Sequence, residues 1–344
     1  MQDRRVGDGP TRRRDGVFRP LSASSGRTEM RRVRRSTAMT STYARAIRRW
    51  YLEHARDLPW RHPDATPWSI MVSEFMLQQT PVSRVLPAQA AWLARWPTPA
   101  ALATASPAAA LRQWDRLGYP RRAVRLHASA ELITAEFGGA VPQSAEVLKR
   151  LPGVGTYTAA AIASFAFGKR EVVLDTNVRR VLARLVTGNE LPPTTQSAAE
   201  RQLAEDLLPR DGKRAAQWSV GVMELGALVC TTTSPRCEDC PLSAQCAWLR
   251  LGRPVGSRRR ATIGYHGSDR QCRGRLLAVL RNAPGAVPVA ALEQAWDDAR
   301  QRERALAALI SDGLVTAESG GWFGLPGDER PSAGTLMAGS DRLE

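Results

Sequence analysis

The chain has 344 residues, 43% of them hydrophobic, which is long enough for two or three domains. Lys and Arg number 49 against 33 Asp and Glu, a net charge of +16, so a polyanionic partner is expected. No apolar run approaches the length of a membrane span and no hydrophobic signal core is visible, so the expectation is a cytoplasmic chain with no membrane partner.

Residues 1–40 hold eleven Arg and four acidic residues, a net +7, with almost no apolar periodicity. They read as a disordered basic tail, or as an upstream extension of a chain whose translation starts near Met39. Ile47, Trp50, Tyr51 and Leu52 start the first helix. It ends before Arg56-Asp57-Leu58-Pro59-Trp60-Arg61, which the proline and the following His62-Pro63 mark as a loop. In Pro67 to Thr80, Ile70, Met71, Glu74 and Leu77 recur at helical spacing. A glutamate on that face is either solvated or, if buried among apolar neighbours, holds its proton well above the usual carboxylate range. Short helices separated by Pro97, Pro99 and Pro107 are expected from Trp92 to Ala130. Leu117-Gly118-Tyr119-Pro120-Arg121-Arg122 interrupts them, and a tyrosine on a glycine turn beside arginines suits either a plain surface turn or stacking plus phosphate contact.

From Glu146 to Arg184 the pattern changes. Val147, Leu148 and Leu151 begin a helix that Pro152-Gly153-Val154-Gly155 breaks, and a second helix follows with Thr156 as its cap. Helix, glycine hairpin and helix together present backbone N–H groups and a helix N-terminus to a phosphate. Val172-Val173-Leu174 then leads into Asp175 and an amphipathic helix with Val178, Val181, Leu182 and Leu185 inside. An N-cap role for Asp175 and a functional carboxylate beside the hairpin both fit that position.

Cys230, Cys237, Cys240 and Cys246 follow the spacing C-x6-C-x2-C-x5-C, which argues for a metal group rather than disulfides. Structural zinc more often comes as two C-x2-C pairs, and four thiolates at irregular spacing also suit a 4Fe-4S cluster. Cys272 stands apart as a free thiol. Residues 252–270 read as a linker. Residues 271–330 follow with helical patterns at Arg275–Arg281, Val289–Trp296 and Gln301–Ser311, and a hairpin about Gly320-Gly321; this suggests a small winged-helix-like module ahead of a tail at 331–344.

LPGVGTYTA followed by LDTNVRR resembles the helix-hairpin-helix DNA glycosylases, and over residues 43–251 the chain is most similar to the MutY-type adenine glycosylases of that superfamily. The resemblance implies an all-α helix-hairpin-helix glycosylase fold over 41–251, with the hairpin at about 144–168 and a cysteine-ligated cluster loop at 230–246. It implies base-excision repair by a monofunctional N-glycosidase: adenine opposite 8-oxoguanine or G in double-stranded DNA is flipped out and removed by hydrolysis. By the match of SEFMLQQT, Glu74 is the expected catalytic acid, and Asp175 is the second carboxylate, with Tyr157 and Asn177 holding both in place. Arg56, Leu58 and Trp60 would line the base pocket. Leu77, Gln78, Gln79 and Tyr119 would contact DNA at the lesion, and Gly153, Val154 and Gly155 would grip phosphate. The four cysteines have the spacing of the 4Fe-4S loop of that group. The expected protein is a monomer associated with the nucleoid. Three departures stand out: Pro120 replaces a second tyrosine of the family's LGYY, Val220 stands where many relatives carry a Gln, and the small C-terminal module replaces a larger Nudix-like domain. Two other readings are an endonuclease III-like enzyme for oxidised pyrimidines and a non-catalytic iron–sulfur DNA-binding protein. The first requires a lysine in the hairpin's second helix, where this chain has Tyr157.

Overall fold

The computed structural model describes residues 40–256 and 264–330. The basic tail other than Thr40, part of the linker and residues 331–344 lie outside the described residues. Two apolar cores organise the rest. The first is built by α2 (Pro67–Leu77), α3 (Val82–Arg95), α4 (Pro99–Ala103), α5 (Pro107–Trp114), α6 (Arg121–Phe137), α7 (Ala145–Leu148) and α8 (Thr156–Phe167). The second is built by α1 (40–54), α9 (Thr176–Leu182), α10 (Ala198–Leu207) and α11 (Gly212–Leu228), with α12 (Ala247–Arg250) closing the cysteine loop. Helix α1 is already formed at residue 40, earlier than the apolar pattern from Ile47 suggests, and Leu52 faces solvent. Among the described residues no helix is long and apolar enough to cross a membrane.

Proline and hydroxyl caps set the helix starts. Thr66, Thr98 and Ser106 each accept from a backbone N–H three residues on, ahead of a proline in the first turn. At the hairpin the cap is Gly155, and Thr156, expected there, is instead the first helical residue. Gly153 has φ +81°, and a Cβ on it would come within 2.8 Å of Arg125 Cβ and 3.0 Å of the Phe75 ring, so the turn both bends and packs only as glycine. Ser129 Oγ donates to the carbonyl of Pro152 at 2.7 Å and fixes the turn to α6.

The C-terminal module has the element order of a winged helix. α13 (Asp269–Asn282), β1 (Val287–Pro288), α14 (Val289–Glu293), α15 (Ala299–Ser311), β2 (Thr316–Glu318) and β3 (Trp322–Gly324) follow one another, with a sheet in the order β1-β3-β2. Both pairings are antiparallel and meet on Phe323, opposite Val287 and Ala317. Strand β1, two residues long, left no periodic signal in the sequence. α13 begins at Asp269 with Ser268 as its cap, inside the stretch read as linker. The module's buried leucines are continuous with the first core.

Candidate active site

Between the two cores runs a cleft of about 1350 Å³, lined from both sides. Glu74 comes from the middle of α2. It is 5% exposed, and its carboxyl is pushed up to about 7, first by burial and then by the negative charge of Asp175; a hydrogen bond from Tyr157 and the nearby Arg61 oppose the rise. Tyr157, in the first turn of α8, is held neutral by burial and by the same two carboxylates. Asp175 caps α9, Oδ1 accepting from the N–H of Val178 at 2.6 Å and Oδ2 accepting from Asn177 Nδ2 at 2.9 Å. The cap and the carboxylate facing the cleft are therefore one residue, and with one bond to each oxygen its orientation is fixed. Burial raises the Asp175 pKa, and the bonds from Val178 and Asn177 counter it.

The wall formed by residues 56–61 is set by a residue the sequence reading did not single out. Glu224, wholly buried in α11, accepts from Arg56 Nε at 2.7 Å, Arg56 Nη2 at 2.8 Å and the Arg56 backbone N–H at 3.0 Å, and pairs with Arg61 Nη2 at 2.8 Å. Burial alone would raise this carboxyl, but the two guanidiniums outweigh it and bring it down to about 2. The clamp holds Leu58 and Trp60, both buried, against the cleft. Arg61 Nη1 and Ser164 Oγ are buried on the cleft wall without a hydrogen-bond partner. Val220 lines the cleft, and Gln217, one turn earlier on α11, brings an amide to the same wall.

Gln79, on the cleft wall, and Tyr119, which is not among the lining residues, share an uncommon backbone state, with φ of 58° and 49°. Tyr119 is 50% exposed, and Leu77, Gln78 and Gln79 line the cleft beside it. Arg122 joins the two loops. Its Nη1 donates to the carbonyls of Phe75, Met76 and Gln78 at 2.8, 2.8 and 2.6 Å, and its Nη2 to Thr80 Oγ1 at 2.8 Å and Gly118 O at 2.9 Å. Burial lowers its pKa to about 10. The sequence suggested phosphate contact for Arg121 and Arg122 alike; Arg122 is buried and spent on carbonyls. Val154 is buried in the hairpin, while the Cα of Gly155 faces open space.

The four loop cysteines are partly buried, and burial together with the neighbouring thiols pushes Cys240 up to about 12. Arg184 donates to Cys230 Sγ at 3.3 Å and to the carbonyl of Thr231 at 2.7 Å, and stacks on Trp248. Among the described residues no group of three or more His, Cys, Asp or Glu is placed to hold a metal ion. The donor set is nonetheless four thiols, three of them near enough to Cys240 to disfavour its ionisation, the chemistry that a thiolate-ligated cationic group would relieve.

A family profile described as "HhH-GPD superfamily base excision DNA repair protein" matches residues 72–207. An adenine DNA glycosylase of Mycolicibacterium smegmatis is 50% identical over 280 residues, 81% of this chain and 94% of that protein. One from Mycobacterium tuberculosis is 51% identical over 282 residues, 81% and 92% of the two chains. A solved structure of a thermostable thymine-DNA glycosylase superposes with a TM-score of 0.57 at 27% identity, covering 62% of this chain and 98% of that one.

Proposed function

The chain belongs to the adenine DNA glycosylases of the helix-hairpin-helix superfamily, and from that premise we propose that it removes adenine mispaired with 8-oxoguanine or G from double-stranded DNA, acting as a monomer and leaving an abasic site. The observation that carries this reading is the pairing of a protonatable Glu74 with Asp175 inside one cleft, a buried acid and a second carboxylate of different environment.

An extrahelical adenine enters the cleft. Glu74 delivers its proton to N7, which makes the base a neutral leaving group. The glycosidic bond then breaks through an oxocarbenium-like state that Asp175 stabilises from its capped position, as the second carboxylate does in sugar hydrolysis. Water attacks the sugar carbon, and Glu74, now ionised, takes its proton. Tyr157 and Asn177 hold the two carboxyls by the hydrogen bonds described. Arg61 Nη1, a buried donor without an acceptor, suits a ring nitrogen of the base. Gly153, Val154 and Gly155 hold the phosphate backbone, and Gln79 and Tyr119 enter the stack at the mispair. Cys230, Cys237, Cys240 and Cys246 would hold a 4Fe-4S cluster, whose contribution is to cross-link the loop.

The test is base release from duplexes carrying A opposite 8-oxoguanine, A opposite G, and thymine glycol. Release of adenine from the first two is expected. Preference for thymine glycol would favour the endonuclease III reading, and binding without any release would favour a non-catalytic DNA-binding protein.

A further inference from the structure

Among the described residues, the winged-helix module is bonded to the glycosylase core on either side of the loop that carries Tyr119. Before the loop, Arg112 of α5 makes a two-pronged bond to Asp328 at 2.8 and 2.7 Å and donates to Ala283 O at 2.9 Å, while the Ala108 N–H donates to Pro326 O at 3.0 Å. After the loop, Arg121 at the start of α6 pairs with Asp312 at 3.1 Å, and Asp312 also pairs with Arg273 of α13. Within the loop, Arg281 of α13 donates to the backbone oxygen of Asp115. Asp115 has φ 40° and ψ −122°, a conformation that a non-glycine residue keeps only when its surroundings impose it.

The module's charge argues against direct reading of DNA. Residues 264–330 contain eight arginines, no lysine and nine carboxylates, in a chain whose net charge is +16. Four of those arginines are paired internally: Arg273 with Asp312, Arg302 with Glu293, Arg304 with Asp269 and Arg330 with Glu318. A surface that gains affinity by releasing counterions from phosphates needs uncommitted cations, and this one offers few.

We propose that the module is a strut for the Tyr119 loop, with Arg281 and Asp312 as positioning residues that hold Asp115 and Arg121 and so set where Tyr119 enters the helix. This rests on the reading of Tyr119 as a DNA probe. The module then supports mispair recognition without touching the mispaired base.

A double-mutant cycle on the full-length protein tests it. Dissociation constants for a duplex carrying A opposite 8-oxoguanine are measured by fluorescence anisotropy for wild type, Arg281→Ala, Tyr119→Ala and the double variant. Arg281→Ala is expected to weaken binding by about tenfold in the wild-type background and to change nothing further once Tyr119 is gone. Arg281→Lys keeps a donor for Asp115 O and should restore binding. Asp312→Asn, which removes charge without volume, should give the same non-additivity if Arg281→Ala folds poorly by thermal unfolding. Losses that add in full for both positions would overturn the strut. Because the cycle is scored on binding, a wild type that binds but releases no adenine would refute the enzymatic reading alone.

Discussion

Arg180 Nε donates to the backbone oxygen of Cys230 at 2.7 Å, the first residue of the cysteine loop, while the same guanidinium's Nη2 donates to Asn177 Oδ1 at 2.8 Å. Nη2 also reaches Gly226 O at 2.7 Å, where a Cβ would collide with Asn177 Cβ at 2.7 Å. The orientation of Asp175 is thus tied through Asn177 and Arg180 to the loop that would carry the cluster. Arg180→Met leaves the amide of Asn177 and two carbonyls without a donor. It should destabilise the fold by at least about 3 kcal/mol and slow base release more than tenfold, read by thermal unfolding and single-turnover assays.

Glu74 gives two pH effects of linked origin. Its carboxyl titrates near 7 in the fold against an ordinary 4.5, so the folded form is penalised as pH rises from about 4.5 to about 7 and stays penalised above. Glu74→Gln should therefore stabilise the protein at pH 8, by on the order of 3 kcal/mol, while nearly abolishing excision and sparing duplex binding. In wild type, single-turnover release should fall about tenfold per pH unit above 7, and fall again in acid as Asp175 gains a proton. A flat profile from pH 6 to 9 would remove Glu74 as the proton donor.

The Glu224 clamp behaves in the opposite sense. With its carboxyl brought down to about 2 from 4.5, its contribution is complete above 4.5 and is lost as pH falls toward 2. Glu224→Ala strands two guanidiniums, both on the cleft wall, and should cost about 3–5 kcal/mol in urea unfolding. Excision should fall with it, because Leu58 and Trp60 lose their backing.

Purified protein should be brown and absorb at roughly 400 nm, as iron–sulfur thiolates do. Cys237→Ser should bleach it and lower the unfolding temperature. Stoichiometric zinc without iron, by elemental analysis, would replace the cluster assignment.

Tyr157 cannot form an imine, so wild type should leave an abasic site cut only after added alkali. Efficient borohydride trapping of wild type on DNA would require a different nucleophile and would overturn hydrolysis as the mechanism.

The parts of the site that could be read in the sequence are those whose chemistry is local. A Pro-Gly-x-Gly turn, an aspartate before an amphipathic helix and four clustered cysteines declare themselves within a few residues, and the fold class followed from the family resemblance that those stretches carry. Glu224 stands in a helix whose pattern is ordinary, and its arginines arrive from the far end of the domain. Arg122 looked like a surface cation beside Arg121, because nothing local says that its acceptors are carbonyls at the end of α2, a hydroxyl just beyond it and a carbonyl of the Tyr119 loop. The depth of Glu74 depended on packing: α2 is buried almost all round, so periodicity could not tell a solvated glutamate from a buried one. The strut contacts are tertiary throughout.

Arg56 and Glu224 are 168 residues apart. The rim of the cleft closes only when both ends of the domain are present, the order of events expected of distant contacts in folding. A nascent chain that has already formed the hairpin and α9 still lacks α11, and with it the carboxylate that anchors Arg56 and Arg61. The wall of the cleft at residues 56–61 is therefore the last part of the site to be secured as the chain emerges, although it lies near the front of the sequence.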